Sequence, residues 1–419
     1  MRLKVFLVLF CAVILFVSIP IAFAEKSEKY VIETIAENLE IPWSIAFAPD
    51  DRIFFTERIG KLRVIQDGQL KPEPLATLNV GAFEGGLLGI ALDPNFNENH
   101  YIYLYYTYSE FLITYNKVVR YIENGEGLED EFVLLDKIPG AAIHDGGRLR
   151  FGPDGKLYIT TGDAASGNSA QDLNSLAGKI LRINPDGTIP DDNPFEKSPV
   201  FSYGHRNPQG LDWDPVSGKL VAVEHGSNAR DEVNVVEAGK NYGWPIIVGN
   251  GNDPNYVDPI LHTGTETWAP SGASFYTSDK IPEWKNKFFV ATLRGSHLRM
   301  LDFDLQQNKA LSSEALFANE FGRLRDAVVG PDGHLYLLTS NSDGRGSPAP
   351  NDDKILRISV EEDHSFLTPL KQTKSGINPK DVDCKQGMML LLKSSSGKPV
   401  CVTQSTASKL IASGWGSKV

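Results

Sequence analysis

The stretch HDGGRLRFGPDGKLYITTGD, residues 144–163, decides the fold. An apolar strand runs into a Gly-Pro-Asp-Gly turn, and a second strand rich in β-branched and aromatic residues follows. The same unit returns as FAPDDRIFF around Pro49, LDPNFNENHYIYLYY around Pro94, WDPVSGKLVAV around Pro215, FYTSDKIPEWKNKFFVA near Ser278 and GPDGHLYLLT around Pro331. These six copies lie 45 to 63 residues apart. A third-strand segment follows each copy: KLRVIQDG, KVVRYIENG, KILRINPDG, DEVNVVEAG, HLRMLDFD and KILRISV. Repeats of this kind predict a β-propeller, because one such unit cannot bury its faces alone. The expected fold is all-β: a six-bladed propeller of four-stranded antiparallel blades over residues 28–360. The strand YVIETIA, residues 30–36, is expected to pair into the last blade and close the ring, which removes exposed sheet edges.

The repeat places chemistry without coordinates. His144 lies nine residues before Pro153, Arg206 nine before Pro215, and Arg323 eight before Pro331. All three therefore approach their inner strands at one level. Residues just after each second strand return to the same face: Asp163, His225 with Gly226, and, after a longer turn, Arg294. Polar groups far apart in sequence converge at one end of the propeller axis, a natural ligand site.

Composition bounds the alternatives. Residues 1–24, MRLKVFLVLFCAVILFVSIPIAFA, carry a basic start (Arg2, Lys4), an apolar run and an Ala22-Phe23-Ala24 cleavage pattern. They read as a secretory signal, with an uncleaved anchor as the alternative. Cleavage predicts a secreted or cell-surface protein with no stable membrane insertion. It removes two positive charges and no negative ones, so the net charge goes from −12 to −14. A chain this acidic, with scattered basic residues, is a poor candidate for nucleic acid. Residues 361–376 read as a linker. Residues 377–419 read as a small module: a hairpin closed by a Cys384–Cys401 disulfide, then a short helix ending at Gly414.

Several motifs carry chemistry. His144 stands before a glycine pair that lets backbone approach a ligand, and an imidazole there can serve as a general base; it can equally hydrogen-bond its loop to a neighbouring blade. GHRNPQG gathers His205, Arg206, Asn207 and Gln209, donors suited to an oxygen-rich ligand or to a network between blades. Gly226 and Ser227 can offer backbone carbonyls to a hard cation; Asp231 and Glu232 beside them can equally be capping residues. Arg323 and Arg325, two apart, point the same way. With Arg294 they imply a polycarboxylate or phosphate ligand, or else salt bridges to blade carboxylates such as Asp326.

Taken together, GGLLGIALDPNF, HDGGRLRFGPDGKLYITTGD, GHRNPQGLDWDP, DEVNVVEAGKNYGWP, WAPSGASFY and GRLRDAVVGPDG resemble the soluble quinoprotein sugar dehydrogenases, the glucose/sorbosone dehydrogenase family. The resemblance covers about residues 30–360. It implies pyrroloquinoline quinone (PQQ) lying over the channel mouth with a Ca²⁺ on the quinone. It implies His144 as the base with Asp145 beside it, and Arg206 and Asn207 at the quinone oxygens. Gly226 and Ser227 would supply carbonyls to Ca²⁺, Arg323 and Arg325 would hold PQQ carboxylates, and Thr267 would stand beside the cofactor. Arg294 substitutes for a lysine that has no clean match. His225 and Glu84 replace glutamines near the substrate, and Ser227 replaces a proline. These departures bring the chain nearer the aldose dehydrogenase branch than the glucose enzymes.

The reading is an exported PQQ- and Ca²⁺-dependent enzyme that oxidises the anomeric hydroxyl of an aldose to a lactone and passes electrons to an acceptor that the sequence does not name. Its rivals are a Ca²⁺-dependent lactonase on a similar propeller and a non-enzymatic binding or scaffold propeller.

Overall fold

The computed structural model describes residues 30–81, 83–360, 367–385 and 387–419. The expected signal at 1–24 lies outside them, as do residues 361–366 of the expected linker.

Among the described residues the repeat region forms six antiparallel sheets. Their first strands are Pro42–Phe47, Leu87–Leu92, Leu149–Phe151, Pro208–Trp213, Pro270–Phe275 and Leu324–Val329. Each pairs with the strand that follows the repeated turn; Leu149 faces Ile159 and Phe151 faces Leu157, for example. Five sheets have four strands, and the first gains a fifth where Ala76–Thr77 pairs with Lys61–Gln66. The first strands touch their neighbours in a cycle, except that the third sheet reaches the fourth through Leu157–Thr161. The last sheet takes its outer strand from the other end of the chain, since Tyr30–Ala36 pairs antiparallel with Ile355–Val360. The architecture is a β-propeller.

Apolar side chains fill the spaces between consecutive sheets. Phe54, Leu62 and Val64 of the first sheet pack on Ile90, Ile102 and Leu104 of the second. Val221, Val223 and Val233 of the fourth meet Phe275, Phe288 and Val290 of the fifth. Tyr336, Leu338 and Ile355 of the sixth meet Ile45, Phe55 and Ile65 of the first, which completes the cycle. Each large side chain so buried stabilises the fold by about 1.5–3 kcal/mol.

On the axis the inner strands come too close for side chains at every position. A Cβ on Gly272 would overlap the Asp326 carboxylate. Arg148 occupies this space and is 4% exposed, a burial that a guanidinium seldom reaches unless it is paired. Its Nη1 donates to Asp326 Oδ2 at 2.8 Å and to Ser44 Oγ at 2.9 Å, its Nε donates to the Gln209 carbonyl at 2.9 Å, and its plane lies 4.3 Å from the Trp43 ring. The Asp326 carboxylate is therefore taken by Arg148 and not by Arg323 or Arg325.

In the tail, Met388–Lys393 pairs with Pro399–Thr403 and with Gly416–Lys418. The helix Gln404–Ala412 follows, and Gly414 adopts φ +71° just beyond it. Cys384 and Cys401 are joined in a disulfide. Within the segment read as a linker lies a short helix, Pro369–Lys374. Pro369 opens it, and the buried Gln372 amide donates to the carbonyls of Leu367 and Asp383. A helix under two turns long is too short to show periodicity. Among the described residues no helix is long and apolar enough to cross a membrane.

Burial pushes the Asp326 carboxyl up and the Arg148 guanidinium down from their usual values, against their mutual attraction. Such a pair adds little by itself, but removing one partner strands the other charge. Asp326→Ala should therefore lower unfolding free energy by about 3–5 kcal/mol in a denaturant titration. Asp326→Asn, which still accepts from Arg148, should lose less. A loss under about 1 kcal/mol for the alanine variant would show that the axis does not depend on the pair.

Candidate active site

The loops on one face of the ring enclose a cavity of about 400 Å³, lined among others by Trp43, Glu84, Gln209, His225, Arg323 and Arg325. His144 is not itself a lining residue but stands between two that are, Ile143 and Asp145, with φ +64°, a conformation that side-chain-bearing residues seldom adopt. Two contacts hold it there. Its backbone N–H donates to Glu84 Oε2 at 3.0 Å. Its Nδ1 lies 2.7 Å from Asp163 Oδ1. Gly162 makes this approach possible, because a Cβ there would overlap the His144 carbonyl. Asp163 is almost fully buried, accepts the Ala165 N–H on Oδ1, and accepts Trp244 Nε1 on Oδ2 at 2.8 Å. A carboxylate on Nδ1 fixes the proton there and leaves Nε2 as the basic nitrogen.

Asp145, expected beside the base, faces elsewhere. Its Oδ1 accepts from Asn116 Nδ2 at 3.0 Å and the Ala141 N–H at 3.2 Å. The carboxylate that orients His144 is Asp163, which the turn at 152–156 brings back to its level: the Gly147 N–H donates to the Thr160 carbonyl, and the Ala164 N–H to the His144 carbonyl.

Arg206 is half-buried. Its N–H donates to Glu224 Oε2 at 2.7 Å, its Nη1 reaches the His225 carbonyl at 3.2 Å, and its guanidinium lies 5.2 Å from the Trp244 ring. Asn207 uses its Oδ1 to accept the Gly146 N–H. His205 belongs to the core instead: it bonds Ser202 and Glu224 and stacks on Tyr242.

The arginine pair is enclosed as expected, but its neighbours differ. Arg323 donates from Nε and Nη2 to Asp343 Oδ2 at 2.9 and 2.7 Å. Arg325 donates to Gln209 Oε1 at 3.0 Å, and its plane lies 5.8 Å from Trp43. The third arginine on the cavity wall is Arg58, and Arg345 at the rim pairs with Glu84 at 2.6 Å. Arg294 is exposed and not among the lining residues. Leu293 lines the cavity there, and the chain bends at 293–295, which leaves the Arg294 side chain exposed. Thr267 is exposed as well: Asp231 Oδ2 accepts the N–H groups of Trp268 and Ala269, the Trp268 ring is buried, and Thr267 before it faces solvent.

Electrostatics favour a bound anion. Burial, with Arg58 and Arg323 nearby, brings Arg325 down to about 9. Burial also brings His225 down to about 3, helped by Arg325 and Arg206 and opposed by Glu84, so its ring is neutral at ordinary pH. The Nε atoms of Arg206 and Arg325, Asn207 Nδ2 and His225 Nε2 are buried with no partner among the described residues. Unsatisfied donors at this density suit a flat, oxygen-rich anion.

The turn after Glu224 is built for its backbone. Asp231 Oδ1 accepts the Gly226 N–H at 2.9 Å, and Asn228, Ala229 and Arg230 all have positive φ. The carbonyls of Gly226 and Ser227 accept no hydrogen bond among the described residues. Among those residues no three His, Cys, Asp or Glu side chains gather as a metal site, so a cation here would draw on carbonyls.

Burial pushes Asp145 up to about 6, against the bonds from Asn116 and Ala141. A carboxyl held above its unfolded value of about 3.9 binds its proton more tightly when folded. The stability it contributes is full below about pH 4 and is lost as pH rises through about 6. In urea titrations, the stability of Asp145→Asn relative to the parent should therefore rise between about pH 4 and 6 and level off above about pH 7. A pH-independent difference would refute this.

The glucose/sorbosone dehydrogenase family model matches residues 39–357. The aldose sugar dehydrogenase YliI of Escherichia coli is 35% identical, over 75% of this chain and 91% of its own. Quinoprotein glucose dehydrogenase B of Acinetobacter calcoaceticus is 30% identical, over 77% of this chain and 88% of its own. Among solved structures, the PQQ-bound aldose sugar dehydrogenase of Streptomyces coelicolor superposes with a TM-score of 0.71 at 36% identity, covering 80% of this chain and 99% of that one. With a family model that spans most of the ring, and relatives matched along most of their length, this chain belongs to the glucose/sorbosone dehydrogenase family.

Proposed function

We propose that this chain is an exported aldose dehydrogenase, dependent on PQQ and Ca²⁺, that oxidises the C1 hydroxyl of its sugar to a lactone on a six-bladed ring spanning 28–360. The observation that carries this reading is a set of buried, unpartnered nitrogens: those of His225 and Arg325, which line the cavity, and those of Arg206 and Asn207, which bond to its lining residues His225 and Gly146. A planar tricarboxylate fits that donor set. Family membership and the PQQ-bound Streptomyces coelicolor structure support it.

In this reading Arg323, Arg325 and Arg58 hold the carboxylates, Arg206 and Asn207 meet the quinone oxygens, and the Gly226 and Ser227 carbonyls hold Ca²⁺. PQQ, when bound, supplies the acceptor for a hydride from C1. His144 Nε2 takes the hydroxyl proton, and the imidazolium that results is stabilised by Asp163. Arg206, set over Trp244, keeps a fixed positive charge where negative charge develops. Neutral His225 and ionised Glu84 offer hydrogen bonds to sugar hydroxyls. Burial works against the Glu84 charge, but the His144 N–H and Arg345 outweigh it and hold the carboxyl below its usual value. A lactonase has no use for the arginine cluster. Residues 1–24 as a signal, and the tail disulfide, support export.

The test is a titration of metal-free apo-protein with PQQ in Ca²⁺, followed by dye reduction with a panel of aldoses. No PQQ binding by the parent would overturn the reading. His144→Ala should lower turnover by about 10²–10⁴ while PQQ affinity stays within a few-fold; near-normal turnover would remove His144 from the chemistry. Arg325→Met should weaken PQQ binding at least about a hundredfold, as expected when one buried partner of a charge pair is lost. Without cofactor this variant should melt no lower than the parent, since burial and two neighbouring arginines already disfavour that charge. Unchanged PQQ affinity in Arg325→Met would show that the arginine pair is structural.

A further inference from the structure

Four of the five tryptophans of the ring belong to the apolar clusters between its sheets: Trp43, Trp213, Trp268 and Trp284. Trp244 belongs to none of these clusters, is half-buried, and is not among the residues that line the cavity. Its indole meets two polar groups instead. The Nε1–H donates to Asp163 Oδ2 at 2.8 Å, and the ring lies 5.2 Å from the Arg206 guanidinium. An indole in this place adds little to the apolar packing; what it adds is a hydrogen-bond donor and a π face.

Each contact falls on a group that is otherwise loosely held. Asp163 Oδ1 accepts from His144 Nδ1 and from the Ala165 N–H, whereas no other donor among the described residues reaches Oδ2. Without the indole N–H a buried carboxylate oxygen is left unsatisfied, and the carboxylate is free to turn about its Cβ–Cγ bond. The Arg206 guanidinium makes a single hydrogen bond among the described residues, from Nη1 to the His225 carbonyl at 3.2 Å. Burial holds Arg206 below its usual pKa, and Asp163 is the first of the carboxylates that offset this. The carboxylate that Trp244 binds therefore acts on the base and on the cation alike.

Trp244 is itself held from a loop of the third sheet. Its backbone N–H donates to the Gly204 carbonyl at 2.9 Å, and its carbonyl accepts Gln171 Nε2 at 2.7 Å. Gln171 and Asn241 exchange two amide hydrogen bonds, at 3.0 and 2.8 Å. The loop that carries Gln171 is pinned in turn by Lys179, a fully buried ammonium that donates to the carbonyls of Ser169, Ala170 and Ala177. We infer that Trp244 is a positioning residue that sets the base and the cation of the reaction together: its N–H fixes the Asp163 carboxylate, and through it the His144 tautomer, while its ring fixes the Arg206 guanidinium. This rests on the dehydrogenase reading, in which His144 takes the hydroxyl proton and Arg206 faces the negative charge that develops.

The test compares Trp244→Phe, which keeps a ring beside Arg206 but has no N–H, with Trp244→Leu, which keeps neither. In cofactor-free protein, the proton NMR resonance of the His144 Nδ1–H, identified by its loss in His144→Ala, should be displaced or broadened away in Trp244→Phe. In protein loaded with PQQ and Ca²⁺, Trp244→Phe should lower kcat for dye reduction about tenfold to a hundredfold, the scale of one hydrogen bond to a charged group, with the sugar KM within about threefold. Trp244→Leu should lose about a further threefold or more. In the Asp163→Ala background, Trp244→Phe should change kcat by less than about twofold, because the hydrogen bond that it removes is already gone. An unmoved resonance, a normal kcat, equal losses with and without the Asp163 carboxylate, a Leu variant no slower than the Phe variant, or a Phe variant that no longer folds would each overturn the inference alone. A parent that oxidises no aldose would overturn the dehydrogenase reading as well.

Discussion

One guanidinium group crosses the axis of this ring. Arg148 leaves the third sheet and bonds to Ser44 of the first, the Gln209 backbone of the fourth and Asp326 of the sixth. Sheets that otherwise pack mainly on their neighbours are thereby joined through the centre. The functional cavity is set directly on this junction. Trp43 lies between Arg148 and Arg325, and Gln209 gives its carbonyl to the first arginine and its side-chain oxygen to the second. The closure of the ring and the placement of the anion-binding residues thus share the same atoms.

Above that floor the cavity holds more positive charge and more donors than the protein itself satisfies. Asp343 partly relieves this by taking two hydrogen bonds from Arg323 and lying 3.7 Å from Arg325. A carboxylate of the chain stands among the arginines, where carboxylates of a ligand would be held. Other ionisable groups are kept out of play. His225 is held neutral, and His205 is locked between Ser202 and Glu224. Among the described histidines, His144 alone combines a fixed tautomer with a position beside the cavity lining.

Much of this was legible in the sequence, because a repeat fixes which residues share a level. The strand pairs, the closing strand at 30–36, and the convergence of His144, Asp163, Arg206, His225, Arg323 and Arg325 all follow from counting residues around the turns. What escaped depends on contacts between sheets. Arg58, Asp343 and Arg345 reach the site from loops whose sequences carry no motif, Trp43 reaches it from the strand Pro42–Phe47, and nothing in the segment GKNYGWP says that Trp244 meets Asp163 and Arg206. Asp163 rather than Asp145 meets His144 because the hairpin returns it to that level while Asn116 and the Ala141 N–H take the Asp145 carboxylate. Arg294 and Thr267 are exposed beside Leu293, which lines the cavity, and Trp268, which is buried in the core; a level read from the repeat does not say which of two adjacent side chains points in. A scan for positively charged residues just after each second strand would have found Arg58, which follows Ile53–Glu57 as His225 follows Leu220–Glu224.

The pairing of Tyr30–Ala36 with Ile355–Val360 also orders events in time. Glu33 and Arg357, which meet across this seam, are 324 residues apart in the chain. The strand at 30–36 precedes the whole repeat during synthesis and has no partner until the sixth sheet exists. Five sheets can assemble from local hairpins as they emerge, but the sixth needs a contact across nearly the full contour of the ring. Until that search ends, the outer edge of the last sheet stays open to stray strands, and the newly made protein is most prone to aggregate in that interval.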